Sequence, residues 1–138
     1  MKRPMQIQYQ KGYKYQLIKI YKCNIGIYGY EISTPFLTLD KAGNLTITVG
    51  YAWDGPSGPA IDTPTFMRGS LVHDAIYQLM RMGLLPQHCR LPADLVMKRI
   101  CKEAGMCKAR IWWVFKGVRK FAKSAADPKN KRKIFEAP

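Results

Sequence analysis

A change of hydrophobic period near the middle of the chain constrains the fold more than any other feature. Before residue 50 apolar residues tend to alternate with polar ones, the period of a strand with one buried face. Gln6-Ile7-Gln8-Tyr9 and Tyr13-Lys14-Tyr15-Gln16-Leu17 alternate, and Ile25-Gly26-Ile27-Tyr28-Gly29-Tyr30 is aromatic and β-branched. Phe36-Leu37-Thr38-Leu39 and Leu45-Thr46-Ile47-Thr48-Val49 flank Asp40-Lys41-Ala42-Gly43-Asn44, the signature of a hairpin. After residue 65 the apolar residues return at helical spacing, as in Met67, Leu71, Ala75 and Leu79. Between the two regimes, residues 50–64 hold three glycines and three prolines, which reads as an ordered loop.

Helices are expected over Phe66 to Met82, Pro92 to Ala104 and Lys108 to Lys123, with proline suiting a first turn and Gly105 a stop. Strands followed by helices give an α+β class, with N-terminal antiparallel strands and a hairpin leading into a three-helix C-terminal half. With 138 residues, 47% of them apolar, the chain has the material for one packed core. A single domain is expected over residues 1–123, followed by a basic C-terminal tail over 124–138.

Lys and Arg total 23 against 9 Asp and Glu, a net charge of +14. Residues 98–138 carry 13 basic and 3 acidic side chains, so the excess is concentrated there. Such a segment attracts anionic surfaces, either lipid or nucleic acid, and it equally serves as a well-solvated face. Cys23, Cys89, Cys101 and Cys107 lack zinc spacing and read as reduced thiols. The apolar run Ile111-Trp112-Trp113-Val114-Phe115 is far short of the roughly 20 residues that span a bilayer. The start of the chain lacks the apolar stretch of a signal peptide, so a soluble protein kept in the cytoplasm is expected.

Four of the nine acidic residues, Asp54, Asp62, Asp74 and Asp94, fall within residues 54–94 of this basic chain. They accompany Asp54-Gly55-Pro56-Ser57-Gly58-Pro59, His73-Asp74-Ala75-Ile76-Tyr77 and Arg90-Leu91-Pro92-Ala93-Asp94. On a helix His73 and Tyr77 share a face, and Asp74 is rotated from it by about 100°. Asp94, near the start of the next helix, is a natural third member. An imidazole beside an oriented carboxylate acts as a general base on water. Asp54 and Asp74 together suit a hard cation held through oxygen ligands. Each residue also has a plain structural reading. His73 suits a core histidine bonded to Asp94, Asp54 a turn cap, Asp74 an ion pair with Arg68 or Arg90, and Tyr77 simple packing. A first helix reaching Met82 also starts Asp94 far from His73, unless the intervening connection doubles back.

These three motifs resemble an uncharacterised domain family of tailed bacteriophages and prophages, which pairs a D-G-x-S-x-P loop with an H-D-x-x-Y helix and an (R/K)-x-x-A-D helix. The similarity runs from about Asn44 to Phe121. It implies phage origin, and hence synthesis in a host cytoplasm with incorporation into the virion as one destination. The order of parts is also similar to the prokaryotic-type secreted phospholipases A2. That resemblance implies a phospholipase A2-like helix pair, with His73 as general base, Asp94 orienting it and Tyr77 bonded within the dyad. It further implies calcium on Asp54 and Asp74. The secreted enzymes have cysteines where Pro56 and Val72 stand here.

In the third helix Ile111, Val114, Phe115, Val118, Phe121 and Ala122 form one apolar stripe, which reads as core, with Lys116, Arg119, Lys120 and Lys123 opposite. Trp112 and Trp113 among Lys116 and Lys120 suit a lipid headgroup layer, stacking on single-stranded bases or a protein contact. Two functions follow as expectations. One is a calcium-assisted hydrolase of a phospholipid or other envelope ester. The other is a non-enzymatic virion or assembly component, whose basic helix and tail contact virion proteins or DNA.

Overall fold

The computed structural model describes residues 7, 9–10, 15–53 and 64–130. Among the described residues seven short strands precede the helices: β1 (Tyr9–Gln10), β2 (Tyr15–Leu17), β3 (Tyr21–Asn24), β4 (Ile32–Ser33), β5 (Leu37–Leu39), β6 (Asn44–Ile47) and β7 (Ala52–Trp53). They form two antiparallel sheets, ordered β1-β2-β7 and β3-β6-β5-β4. Four helices follow among the described residues, α1 (Pro64–Arg81), α2 (Arg90–Glu103), α3 (Lys108–Phe121) and the single turn α4 (Lys123–Ala126). The α+β class is therefore the observed one, with strands first and helices after. Among the described residues no helix is long and apolar enough to cross a membrane.

The expected hairpin is β5–β6, paired Leu37↔Ile47, Thr38↔Thr46 and Leu39↔Leu45. The leucines and Ile47 are buried, while Thr38 is exposed and Thr46 half-buried, as alternation requires. Its turn is closed by Asp40, whose carboxylate accepts the Asn44 backbone N–H at 2.9 Å. That bond and the one from the Asn44 amide hold the Asp40 carboxyl below its ordinary range.

Two expectations fail locally. Residues 25–30 are not a strand, although their composition favours one. Gly26 (φ +70°) and Gly29 (φ +87°) adopt backbone conformations that extended chain does not contain, and they turn it between β3 and β4. The second concerns the C-terminus. Residues 123–130, assigned from residue 124 to a tail, pack onto the body of the domain. Arg81 on α1 donates to the Ala125 carbonyl at 2.8 Å, Gln87 donates to the Ala126 carbonyl at 2.7 Å, and Ala126 is fully buried. The expected tail from residue 131 onward lies outside the described residues.

Helix α1 runs through the centre. Pro64 occupies its first position, where the missing N–H costs nothing. Val72, Ala75, Ile76, Leu79 and Met80 join the main core with Leu17, Tyr21, Leu45, Ile47 and Trp53 from the sheets. A second cluster, Phe66, Met97, Cys101, Met106, Ile111 and Val114, fills the space among α1, α2 and α3. Helices α1 and α2 run antiparallel, because residue 69 lies beside residues 97 and 101 while residues 73 and 77 meet residue 94. They approach closely at Gly69, where a Cβ would stand 2.7 Å from Cys101 Sγ and 3.3 Å from the Met97 carbonyl. A 310 turn at Gln87–Cys89 doubles the chain back, and α2 starts two residues before Pro92. This removes the difficulty of bringing Asp94 to His73.

All four cysteines are free thiols. Burial pushes the Cys23 thiol up to about 11 and the Cys101 thiol up to about 12, so both stay protonated near neutral pH.

Candidate active site

Residues 73 and 77 stand one turn apart on α1, so their side chains are neighbours. The His73 and Tyr77 rings lie 4.0 Å apart between centroids, tilted by 31°. Antiparallel packing sets Asp94 of α2 opposite both. His73 Nε2 lies 2.7 Å from Asp94 Oδ1, and the Tyr77 hydroxyl donates to the same oxygen at 2.6 Å. The second oxygen, Oδ2, accepts a hydrogen bond from Arg119 Nη1 of α3 at 2.8 Å. The Asp94 side chain has 0% exposure and that of His73 14%. A carboxylate removed from water persists as an ion only when such donors replace the solvent.

Burial pushes the Asp94 carboxyl up, but the hydrogen bonds from His73, Tyr77 and Arg119 outweigh it and hold it below the ordinary range. It is therefore a carboxylate at neutral pH, able only to accept. The ring proton of His73 then sits on Nε2, and in the neutral imidazole Nδ1 carries the lone pair. Nδ1 has no hydrogen-bond partner among the described residues. Burial and the adjoining carboxylate push the Tyr77 hydroxyl well above the ordinary tyrosine range, so it acts as a neutral donor. Arg90, at the start of α2, offsets part of that shift and donates to the Arg119 carbonyl at 3.3 Å.

Asp74 turns toward the sheets. The buried Tyr51 hydroxyl donates a short hydrogen bond to Asp74 Oδ2, and the Gln78 amide stands 3.2 Å from the same hydroxyl. Neither arginine named as an alternative partner is bonded to Asp74. Arg68 pairs with Glu103 at 3.2 Å and donates to the Tyr21 hydroxyl, and Arg90 turns to α3. Asp54 lies outside the described residues, as do Asp62 and the rest of the 54–63 segment. Both ends of that segment are fixed to α1. Trp53 is buried, with its indole donating to Ser70 Oγ at 3.2 Å, and Pro64 begins the helix.

The structure thus joins His73, Tyr77 and Asp94 and holds Asp74 one helix position away. Trp112, Trp113, Lys116 and Lys120 lie apart, exposed on α3, with Lys116 Nζ 5.5 Å above the Trp112 ring. Sequence reasoning missed Arg119 and Tyr51. Arg119 falls on the basic face by sequence, and the pointer available is its position beside Val118 at the flank of the apolar stripe. Tyr51 falls within the glycine- and proline-rich loop by sequence, although it precedes Trp53 by two in an alternating pattern.

Among the described residues no three His, Cys, Asp or Glu side chains gather to hold a metal ion. Asp74 offers hard carboxylate oxygens of the kind calcium takes, one of them already engaged by Tyr51. No family model, curated protein or solved structure matches this chain.

Proposed function

We propose that the chain is a small phage-encoded hydrolase of a phospholipid or another envelope ester, with water activated by His73. The observation that carries this reading is the Asp94–His73 pair, 2.7 Å apart, which leaves Nδ1 as the lone-pair nitrogen of a partly exposed ring. Nδ1 takes a proton from water as its oxygen adds to the ester carbonyl. Asp94 holds the ring in the required tautomer and steadies the imidazolium. The same Nδ1 returns the proton to the leaving alcohol as the ester C–O bond breaks. Tyr77 and Arg119 fix the carboxylate and spread its charge, so Asp94 orients more than it polarises. Calcium held by Asp74 and Asp54 would stabilise negative charge developing on the carbonyl oxygen.

The test is fatty-acid release from phospholipid vesicles, with and without calcium. Release that falls about 10²–10⁴-fold in His73→Ala supports the reading. Equal background release from the native protein and His73→Ala overturns it.

A second reading has its own support. Asp94 draws donors from α1 and α3 and needs no substrate to satisfy it, so the cluster also serves as a scaffold of a virion or assembly protein. Fixed stoichiometry in purified particles supports that role, and absence from particles removes it.

A further inference from the structure

Helices α2 and α3 run antiparallel, since Lys98 sits over the Phe115 ring at 5.0 Å while Asp94 meets Arg119. Their outer sides enclose a groove of about 470 Å³. Ile111 forms its floor. Leu95 and Trp112 stand at its rim, 46% and 62% exposed, with Lys98, Lys102 and Lys108 around them. Leu91 extends the apolar strip one turn along α2 and is also 46% exposed. On α3, Lys108, Trp112, Lys116 and Lys120 recur every four residues and form a single ridge.

Charge decides what this surface meets. Residues 90–123 hold ten basic side chains and two acidic ones. Both acids are committed elsewhere, Asp94 to Arg119 and His73, and Glu103 to Arg68 and Arg99. Among the described residues Lys98, Lys102 and Lys108 pair with no carboxylate. The partner is therefore anionic. Leucines at the rim distinguish between anionic partners. A nucleic acid rewards aromatic faces and cations but gains little from Leu91 and Leu95, which offer no stacking plane. A bilayer rewards all three: leucines enter the acyl boundary, an indole sits at the headgroup level, and lysines reach lipid phosphates.

We propose that the α2–α3 groove docks on anionic lipid bilayers, inserting Leu91, Leu95 and Trp112 while Lys98, Lys102 and Lys108 engage headgroup phosphates. Binding needs no turnover, so it is separable from the hydrolase reading, and His73→Ala retains it.

The experiment is co-sedimentation of the full chain with phosphatidylcholine vesicles, with and without phosphatidylglycerol, at low and high salt. The protein is expected to sediment with the mixed vesicles, to be released by salt, and to ignore pure phosphatidylcholine. Lys102→Gln and Lys108→Gln should each weaken the partition about fivefold. Leu95→Ser and Trp112→Ala should each weaken it about tenfold or more. All four side chains are exposed, so unchanged circular dichroism is expected. Because Trp53 is already buried, a blue shift of emission on vesicle addition reports Trp112 and Trp113. No sedimentation with anionic vesicles overturns the proposal, as does sedimentation that all four variants leave unchanged. Binding to a single-stranded oligonucleotide that the same lysines control, without vesicle binding, overturns it in favour of nucleic acid.

Discussion

The inner and outer sides of α2 break the ordinary burial pattern in opposite ways. Inside, Asp94 is a charge without solvent contact, ringed by His73, Tyr77 and Arg119. Outside, Leu91 and Leu95 are apolar side chains facing water among lysines. A buried charge and an exposed apolar strip each carry more information than a leucine in the core, because neither arises from collapse alone. The inner side is answered within the chain, since every donor to Asp94 comes from α1 or α3. The outer side is answered by nothing among the described residues. The first is a question of stability and chemistry, the second a question of partners.

Substitutions on the inner side should therefore cost stability, and those on the outer side should not. The largest effect is expected for Asp94→Ala, which leaves the Arg119 cation and two further donors without their acceptor. A loss of about 3–5 kcal/mol in urea unfolding is the expected outcome. A loss below 1 kcal/mol would show that water replaces the carboxylate and would dissolve the contrast.

Gly69→Ala comes next, at about 1–3 kcal/mol, because its methyl group meets Cys101 Sγ and the Met97 carbonyl. The companion change Cys101→Ala should return part of that loss, and a strictly additive double variant would refute the steric cause.

The pH dependence sharpens the same contrast. The Asp94 carboxyl is held below its ordinary range in the fold. Its contribution is complete above the unfolded value of about 4 and is lost as the pH falls through the lowered folded value, where the unfolded chain has already taken up the proton. Asp94→Asn should flatten this acid limb of the stability curve. An unchanged limb would assign acid sensitivity to other carboxylates.

The smallest effect is expected outside. Leu95→Ser should alter unfolding by no more than about 0.5 kcal/mol while reducing vesicle binding, so a larger cost would mean that Leu95 belongs to the core after all.

Much of the inner side was legible in the sequence. His73 and Tyr77 share a helix face by spacing alone, and the proline near the start of α2 placed Asp94 in an early turn. Arg119 was not legible, because its role depends on the packing of α3 against α2, and one cation among many has no local mark. The bonds that seat residues 123–130 were equally silent, since Arg81 and Gln87 seek backbone carbonyls, which every residue has. In the strand half, local composition misled at residues 25–30, where two left-handed glycines outweigh four β-favouring neighbours.

The fixed ends of the 54–63 segment have a consequence for how this protein can diversify. Its stems, Trp53 and Pro64, both rest on α1, Trp53 through Ser70 less than one turn from His73 and Pro64 about two and a half turns from it. Insertions or replacements between them would alter the chain that joins the two stems and leave the packing of the described residues intact. Grafting an unrelated hairpin between these stems should thus preserve cooperative melting, and a collapsed transition would show that the segment is structural. A connection anchored at both ends on a packed helix is the arrangement by which one scaffold comes to serve different ligands.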